Sequence, residues 1–267
     1  MLAFANAKIN LGLSVIEKRT DGYHNIETVF YPLKIYDAVE ITDAGETTCV
    51  VAGGSIPGNV NDNICLKAFS ALQKDFVFPN QQITLLKNIP VGAGLGGGSA
   101  DAAFLVKLLN SKFELGLSDQ QMEAYLRPLG ADCAFFVRNK PVFAYGKGDQ
   151  FEPLGLDLSG YFIVLVKPNV HVATADAYSG IKPSRAGTSL KDLIHLPLKD
   201  WKGSVKNDFE IPVFAKFPEI AAIKEALYHD GAIFAAMSGS GSSVFGIFEN
   251  PVKLPDLEQA NRVFYNV

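Results

Sequence analysis

Between residues 3 and 16, Ile9, Leu11, Leu13 and Val15 share one parity while Asn6, Lys8, Asn10 and Gly12 share the other. A period of two predicts a strand with one packed face, and it sets Lys8 and Asn10 side by side on the less apolar one. "KRTDGYHNIET" then supplies a polar turn around Asp21 and Gly22, and "TVFYPLKIYDAVEI" resumes strand character. "GGSIPGNVNDN" reads as a loop, with Asn61 or Asp62 placed to cap a helix over "NICLKAFSALQK", whose Ile64, Ala68, Ala71 and Leu72 fall on one face.

The rhythm changes in the middle of the chain. "QQITLLK" predicts a short strand, "NIPVGAGLGGG" an irregular loop, and "SADAAFLVKLLN" a helix beginning near Ser99. Ser118 and Gln121 have the spacing of a capping box for a helix that Pro128 and Gly130 should end. "PVFAYGKG" and "YFIVLVKP" read as strands, the second apolar enough to lie inside a sheet. Residues 168–200 are less regular. "PEIAAIKEALYHDG" predicts a helix stopped by Gly231, and "AIFAAMSGSGSSVFGIFE" a strand, a glycine turn and a strand. Hairpins mixed with helices, without a regular βαβ series, predict an α+β fold. A break near residue 150 divides the pattern into 1–150 and 151–267, joined by no flexible connector.

Composition narrows the classes. With 48% apolar residues in 267, the chain has material for a large core. The charges, 24 Lys and Arg against 28 Asp and Glu, and the lack of a basic cluster argue against nucleic acid as a partner. The longest apolar runs are of strand length and the first residues do not form a signal peptide, so no membrane role is expected and the cytoplasm is the expected compartment. Cys49, Cys65 and Cys133 are too few and too scattered for a disulfide framework and read as small buried hydrophobes.

The candidate chemistry centres on residues 89–103, where five glycines from Gly92 to Gly98 precede a helix. Such a loop can turn successive N-H groups into one concavity, and the helix start adds unpaired donors and a positive dipole end; both favour a phosphate. The bland reading is a tight turn. No GxxxxGK occurs, and although Gly92, Gly94 and Gly97 fit GxGxxG, the βαβ context of a dinucleotide site is missing. Asp101 reads as a helix-start carboxylate before a catalytic one. Ser238, Gly239, Ser240 and Gly241 form either a simple turn or a second small surface closing on a ligand; apolar strand follows them, which excludes a nucleophile elbow. Lys8, in an otherwise apolar strand, either reaches solvent or faces a cleft opposite an acid. Asp132 is the best candidate for that acid, with a helix N-cap as its structural alternative.

"AKINLGL" at 7–13, "PVGAGLGGGSADAA" at 90–103 and "MSGSGSSVFGIF" at 237–248 resemble, in order and spacing, the three motifs of the GHMP kinases. "KRTDGYHNIETVF" at 18–30 and "GADCAFFVRNKPVFAYGKGD" at 130–149 resemble the branch acting on a cytidylyl-linked methylerythritol alcohol in non-mevalonate isoprenoid synthesis. The likeness covers roughly residues 3–250. It implies an ATP-binding domain of ribosomal-protein-S5-like topology over 1–150, a ferredoxin-like C-terminal domain over 151–267, and phosphorylation of the alcohol at its 2-hydroxyl.

Carried over residue by residue, the resemblance makes Lys8 and Asp132 the catalytic pair. It assigns Pro90, Gly92, Gly94, Leu95, Gly96, Gly97, Gly98, Ser99 and Ala100 to ATP, with Mg2+ bridging the phosphates and touching Ser99. Asn10 and Gly239 belong to the substrate pocket, His24 to the edge of the cytosine, Tyr23 and Tyr178 to its faces, and Lys147 to the diphosphate. Cys133-Ala134 stands where Val-Pro is common in the family. The partners implied are ATP and the cytidylyl substrate, for a monomer or weak homodimer. The competing readings are a GHMP kinase for another alcohol, such as mevalonate or homoserine, and a non-catalytic nucleotide-binding protein.

Overall fold

The computed structural model describes residues 1–54, 59, 62–184 and 187–267. The fold is α+β, and two compact units divide the chain, neither of them a continuous stretch. One takes Met1–Lys8, Lys34–Val91 and Gly96–Lys140; the other takes Ile9–Leu33, Gly92–Leu95 and Pro141–Val267. The expected break near residue 150 therefore falls inside the second unit. The reason is the length of the first two strands: β1 (Leu2–Lys18) and β2 (His24–Asp43) run 17 and 20 residues, and each contributes a segment to both units.

In the first unit, β3 (Thr48–Ala52) pairs parallel with β4 (Gln81–Leu86), and β4 pairs antiparallel with residues 38–43 of β2. A parallel pair needs a crossover, which α1 (Ile64–Gln73) supplies. Asn63, rather than Asp62, caps α1, its side chain accepting from the Cys65 N-H at 2.8 Å; Asn61 lies outside the described residues. The buried face of α1 is Cys65, Ala68, Phe69 and Leu72, while Ile64 and Ala71 are half-buried, so the apolar stripe is rotated from the expected one. Next comes α2 (Gly97–Lys112), which packs against α1, α3 (Asp119–Leu126) and α4 (Phe135–Arg138). Ala100, Ala102, Ala103, Leu105, Val106, Leu108 and Leu109 of α2 are all buried, as a helix enclosed on most sides requires. Ser118 and Gln121 form the expected capping box of α3.

In the second unit, β5 (Val142–Tyr145) pairs with residues 28–30 of β2 and with β6 (Gln150–Pro153). A separate antiparallel sheet begins with β7 (Phe162–Pro168). Among its described residues, the irregular region that follows holds short pieces, α5 (Thr174–Tyr178), α6 (Leu190–Leu193) and a 3-10 turn over Leu198–Asp200, before α7 (Glu210–Lys216) and α8 (Pro218–His229). The sheet is completed by β8 (Phe234–Met237), β9 (Val244–Phe248) and, after α9 (Pro255–Glu258), β10 (Asn261–Tyr265), in the order β10-β7-β9-β8. The apolar strand β7 is internal, as its composition predicts. Ile220, Ile223 and Leu227 of α8 share one core with Val164, Val166, Ala235, Met237 and Val244 of the sheet. Among the described residues no helix is long and apolar enough to cross a membrane.

Candidate active site

Lys8 enters from β1 with its side chain only 3% exposed, and its Nζ lies 3.2 Å from Oδ2 of Asp132, which is 30% exposed. Of the two sequence readings for Lys8, a cleft facing an acid is the one the geometry supports, since a buried ammonium is stabilised by a carboxylate partner. Asp132 is not a helix cap: it sits in a turn, and Ala134 is the N-cap of α4 with no side-chain bond. A Cβ built on Gly96 would lie 3.2 Å from Cε of Lys8 and 3.0 Å from the Phe136 ring. The start of α2, where N-H groups lack intrahelical partners, is therefore packed directly against the ammonium stem.

Gly96, at φ +71°, is the N-cap of α2, so the helix begins at Gly97, two residues before the position expected from propensity. Gly97 and Gly98 are helical, and Ser99 and Ala100 complete the first turn. After Pro90, a turn at Gly92 and bends at Gly94 and Leu95 lead into it. Asp101 corrects its sequence reading. Its side chain does not serve the helix dipole; it is buried, with Oδ2 accepting from Lys87 Nζ at 2.6 Å.

In the second unit the anchor is Ser238. Its hydroxyl donates to the Gly94 carbonyl at 2.8 Å and accepts from the Asn10 N-H at 3.2 Å. A Cβ on Gly94 would stand 2.0 Å from the Ser238 carbonyl oxygen, so only glycine allows this approach. Gly239 faces Asn10, whose Oδ1 would be 3.0 Å from a Cβ placed there. Asn10 also donates from Nδ2 to Thr28 Oγ1 at 2.9 Å, and Asn207 Nδ2 donates to the carbonyls of Met237 and Gly239, both at 2.8 Å. Thr28 and Asn207 carried no sequence signal. Their hydrogen bonds are made across 18 residues and about 30 residues respectively, which no local pattern encodes.

The aromatic residues form a third group, also in the second unit. Tyr178 stacks on His24 with ring centroids 4.8 Å apart and planes inclined by 24°, and meets Phe209 edge-on at 4.7 Å. Tyr23 is 62% exposed, and Lys147 Nζ lies 5.1 Å from its ring centroid. Lys147 belongs to the turn between β5 and β6, which the Ile26 N-H holds to β2 through the Gly146 carbonyl. Tyr178 thus lies against His24 and Phe209, and Tyr23 beside Lys147.

Residues 63–140 match the GHMP kinases N terminal domain, and residues 189–267 match the GHMP kinases C terminal domain. A 4-diphosphocytidyl-2-C-methyl-D-erythritol kinase of Bacteroides fragilis is 53% identical over 262 residues, covering 97% of this chain and 96% of the relative. The chain belongs to the GHMP kinases, among the 4-diphosphocytidyl-2-C-methyl-D-erythritol kinases. A relative of that name from Cytophaga hutchinsonii is 51% identical over 93% of this chain and 92% of its own length. A crystal structure of a 4-(cytidine 5'-diphospho)-2C-methyl-D-erythritol kinase superposes with a TM-score of 0.83 at 30% identity, covering 99% of this chain and 98% of that one. The mevalonate kinase of Methanococcus jannaschii, at 14% identity and a TM-score of 0.66 over 99% of this chain and 97% of its own, shares the fold.

In this GHMP kinase, the segments 7–13, 90–103 and 237–248 that carried the resemblance meet at one atom, Ser238 Oγ, through Asn10 and Gly94. The departure from the family at Cys133 leaves the neighbouring acid in place. Burial pushes the Cys133 thiol up to about 11, opposed by a hydrogen bond with Ser99, so it remains a neutral packing group.

Proposed function

We propose that this GHMP kinase transfers the γ-phosphoryl group of ATP to the 2-hydroxyl of 4-diphosphocytidyl-2-C-methyl-D-erythritol, giving the 2-phosphate and ADP. The observation that carries the chemistry is the pairing of the buried Lys8 with the half-buried Asp132, the lysine lying against the Gly96 cap of α2. A carboxylate beside a phosphate-binding helix start would repel the transferring group; the ammonium between them offsets that repulsion. In the reaction the alcohol oxygen forms its bond to phosphorus, the bond from that phosphorus to ADP breaks, and Asp132 accepts the hydroxyl proton. Lys8 orients Asp132 through their ion pair and faces the negative charge of the transition state.

The glycine loop and the first turn of α2, from Pro90 to Ala100, hold the α- and β-phosphates through backbone N-H groups. Magnesium suits the oxygen donors here. A Cβ on Gly130 would be 3.8 Å from Ser99 Oγ, which puts that hydroxyl at the base of the turn bearing Asp132. Among the described residues no group of three His, Cys, Asp or Glu is arranged to hold a metal, and a phosphate-bound magnesium needs few protein ligands. Ser99 is the residue assigned to it, and the bound ion would neutralise phosphate charge. Asn10 and Gly239 line the alcohol, Lys147 meets the diphosphate, and Tyr23, His24 and Tyr178 recognise the cytosine.

The test is ADP release from ATP with the cytidylyl alcohol, its uridylyl counterpart, mevalonate and homoserine as acceptors. Turnover is expected with the first and sharply lower with the others. Equal or greater turnover with mevalonate or homoserine would transfer the assignment to another alcohol, and ATP binding without turnover on any of them would remove it.

A further inference from the structure

The buried charges that the chemistry leaves unused are gathered at one place in the first unit. Lys87 follows the last residue of β4 on the approach to the glycine loop, Asp101 lies in α2 just beyond it, and Asp37 comes from β2; all three are buried. Lys87 Nζ donates to Asp101 Oδ2 at 2.6 Å and also to Asp37 Oδ2. The other oxygen of Asp37 accepts from the backbone N-H groups of Asn88, at 2.6 Å, and Ile89, at 2.8 Å. On the far side of the loop, a Cβ on Gly97 would be 3.0 Å from Ile89 Cγ2 and 3.5 Å from Asp37 Oδ2. Both roots of the loop thus converge on one carboxylate, and Lys87 ties that carboxylate to the helix.

Three buried ionisable groups are a costly way to pack a core; apolar residues of similar volume would serve at least as well. What they supply that apolar residues lack is direction: four hydrogen bonds fix the backbone entering the loop relative to the helix leaving it. Burial pushes the Asp101 carboxyl up to about 7, with the Lys87 ammonium opposing and Asp37 adding to the rise. Burial likewise works against the Lys87 ammonium, but the two carboxylates outweigh it and raise its pKa. Oδ1 of Asp101 is buried without a hydrogen-bond partner.

We propose that Asp37, Lys87 and Asp101 are positioning residues for ATP: a buried clamp across the roots of the glycine loop that presets its N-H groups for phosphate. The inference rests on the reading of that loop as the ATP site. The clamp touches neither nucleotide nor alcohol, and acts on the affinity for ATP alone. Asp101→Leu cuts its tie to α2 while leaving Lys87 paired with Asp37, and Asp101→Asn keeps an oxygen to accept from Lys87.

The Michaelis constants for ATP and for the cytidylyl alcohol are measured in both variants and in Gly97→Val. Asp101→Leu should raise the constant for ATP by roughly 10-fold and change that for the alcohol by less than about twofold, with Asp101→Asn within about threefold of the parent for both. No rise, or equal rises for both substrates, would overturn the clamp. An unchanged ATP constant in Gly97→Val would instead remove the loop itself as the ATP site, and the clamp with it. Hydrogen exchange on the unaltered protein gives a second measurement should Asp101→Leu not fold. The amides of Asn88 and Ile89 should slow by about fivefold or more with a non-hydrolysable ATP analogue and not with the alcohol alone. Unaltered exchange with the analogue would overturn the proposal.

Discussion

Ser238 Oγ donates to the Gly94 carbonyl at 2.8 Å across 144 residues of sequence, and accepts from the Asn10 N-H at 3.2 Å. One hydroxyl therefore ties the strand that carries Asn10 to the bend at Gly94 in the glycine loop. Ser238→Ala leaves both partners without it, in a place too buried for bulk water to substitute. The expected loss is about 1–3 kcal/mol of stability, with a raised Michaelis constant for ATP. Thermal melts and initial rates check this; a variant unchanged in both would make the bond incidental.

Asp132→Asn keeps the shape of the residue and loses both the charge and the ability to accept a proton. The turnover number should fall about 10²-fold or more, with the Michaelis constant for ATP little altered. Wild-type-like turnover in a folded variant would take Asp132 out of the chemistry.

Two glycines of one loop should respond in opposite ways. Gly94, at φ +78°, has the Ser238 carbonyl 2.0 Å from the place of a Cβ, whereas Gly98 has only Ile64 Cγ2, at 3.9 Å, and no positive φ. Gly94→Ala should lose stability and ATP binding together. Gly98→Ala adds helix propensity to the start of α2 and should raise stability by about 0.5–1 kcal/mol at most. Calorimetric melts of the two proteins make the comparison, and equal destabilisation would refute it.

The buried Asp101 gives stability a pH dependence of defined sign. Burial raises its carboxyl from 3.8 to about 7 in the fold, so the folded state holds a proton that the unfolded state releases. The contribution is present at low pH and is lost as pH rises from about 4 towards 7. Asp101→Asn has no such group, so its stability relative to the parent should improve across that window and level off above it. Urea unfolding at about pH 5 and about pH 8 reads this out, and a difference independent of pH would show an unshifted carboxyl.

The proposed cytosine pocket separates ring faces from ring edges. Tyr178→Ala should cost about 1–3 kcal/mol of stacking and weaken the cytidylyl alcohol roughly 5- to 150-fold, while Tyr178→Phe keeps the face and should cost much less. His24→Ala should narrow the preference for cytidylyl over uridylyl substrate. Because His24 and Tyr178 stack on each other, the two losses should not be additive in the double variant. Additive losses, or an unchanged base preference, would mean that these rings only pack.

Periodicity and glycine spacing were sufficient for much of this protein. The strand β1, the capping box at Ser118, the apolar interior strand β7 and the strand-turn-strand around Gly239 are each encoded by neighbours within a few residues and form as predicted, except that β1 is buried on both faces from Ala5 to Leu13, not on one, because Asn6, Lys8 and Asn10 are covered as well. Lys8 was conspicuous because a charge in an apolar strand needs a reason. What the sequence by itself could not determine was the partner of any buried charge. Lys87 looks like the ordinary end of a strand, and Asp101 like a favourable start to a helix, until the fold brings Asp37 to both from 50 and 64 residues away. The same holds for Ser238, whose hydroxyl acquires a role only because Asn10 and Gly94 arrive beside it, and for the division into units, which long strands shared by both place where no change of composition marks it. Backbone conformation follows from local sterics and propensity, whereas pairing in a low-dielectric interior depends on which distant groups are desolvated together, and only the tertiary structure decides that.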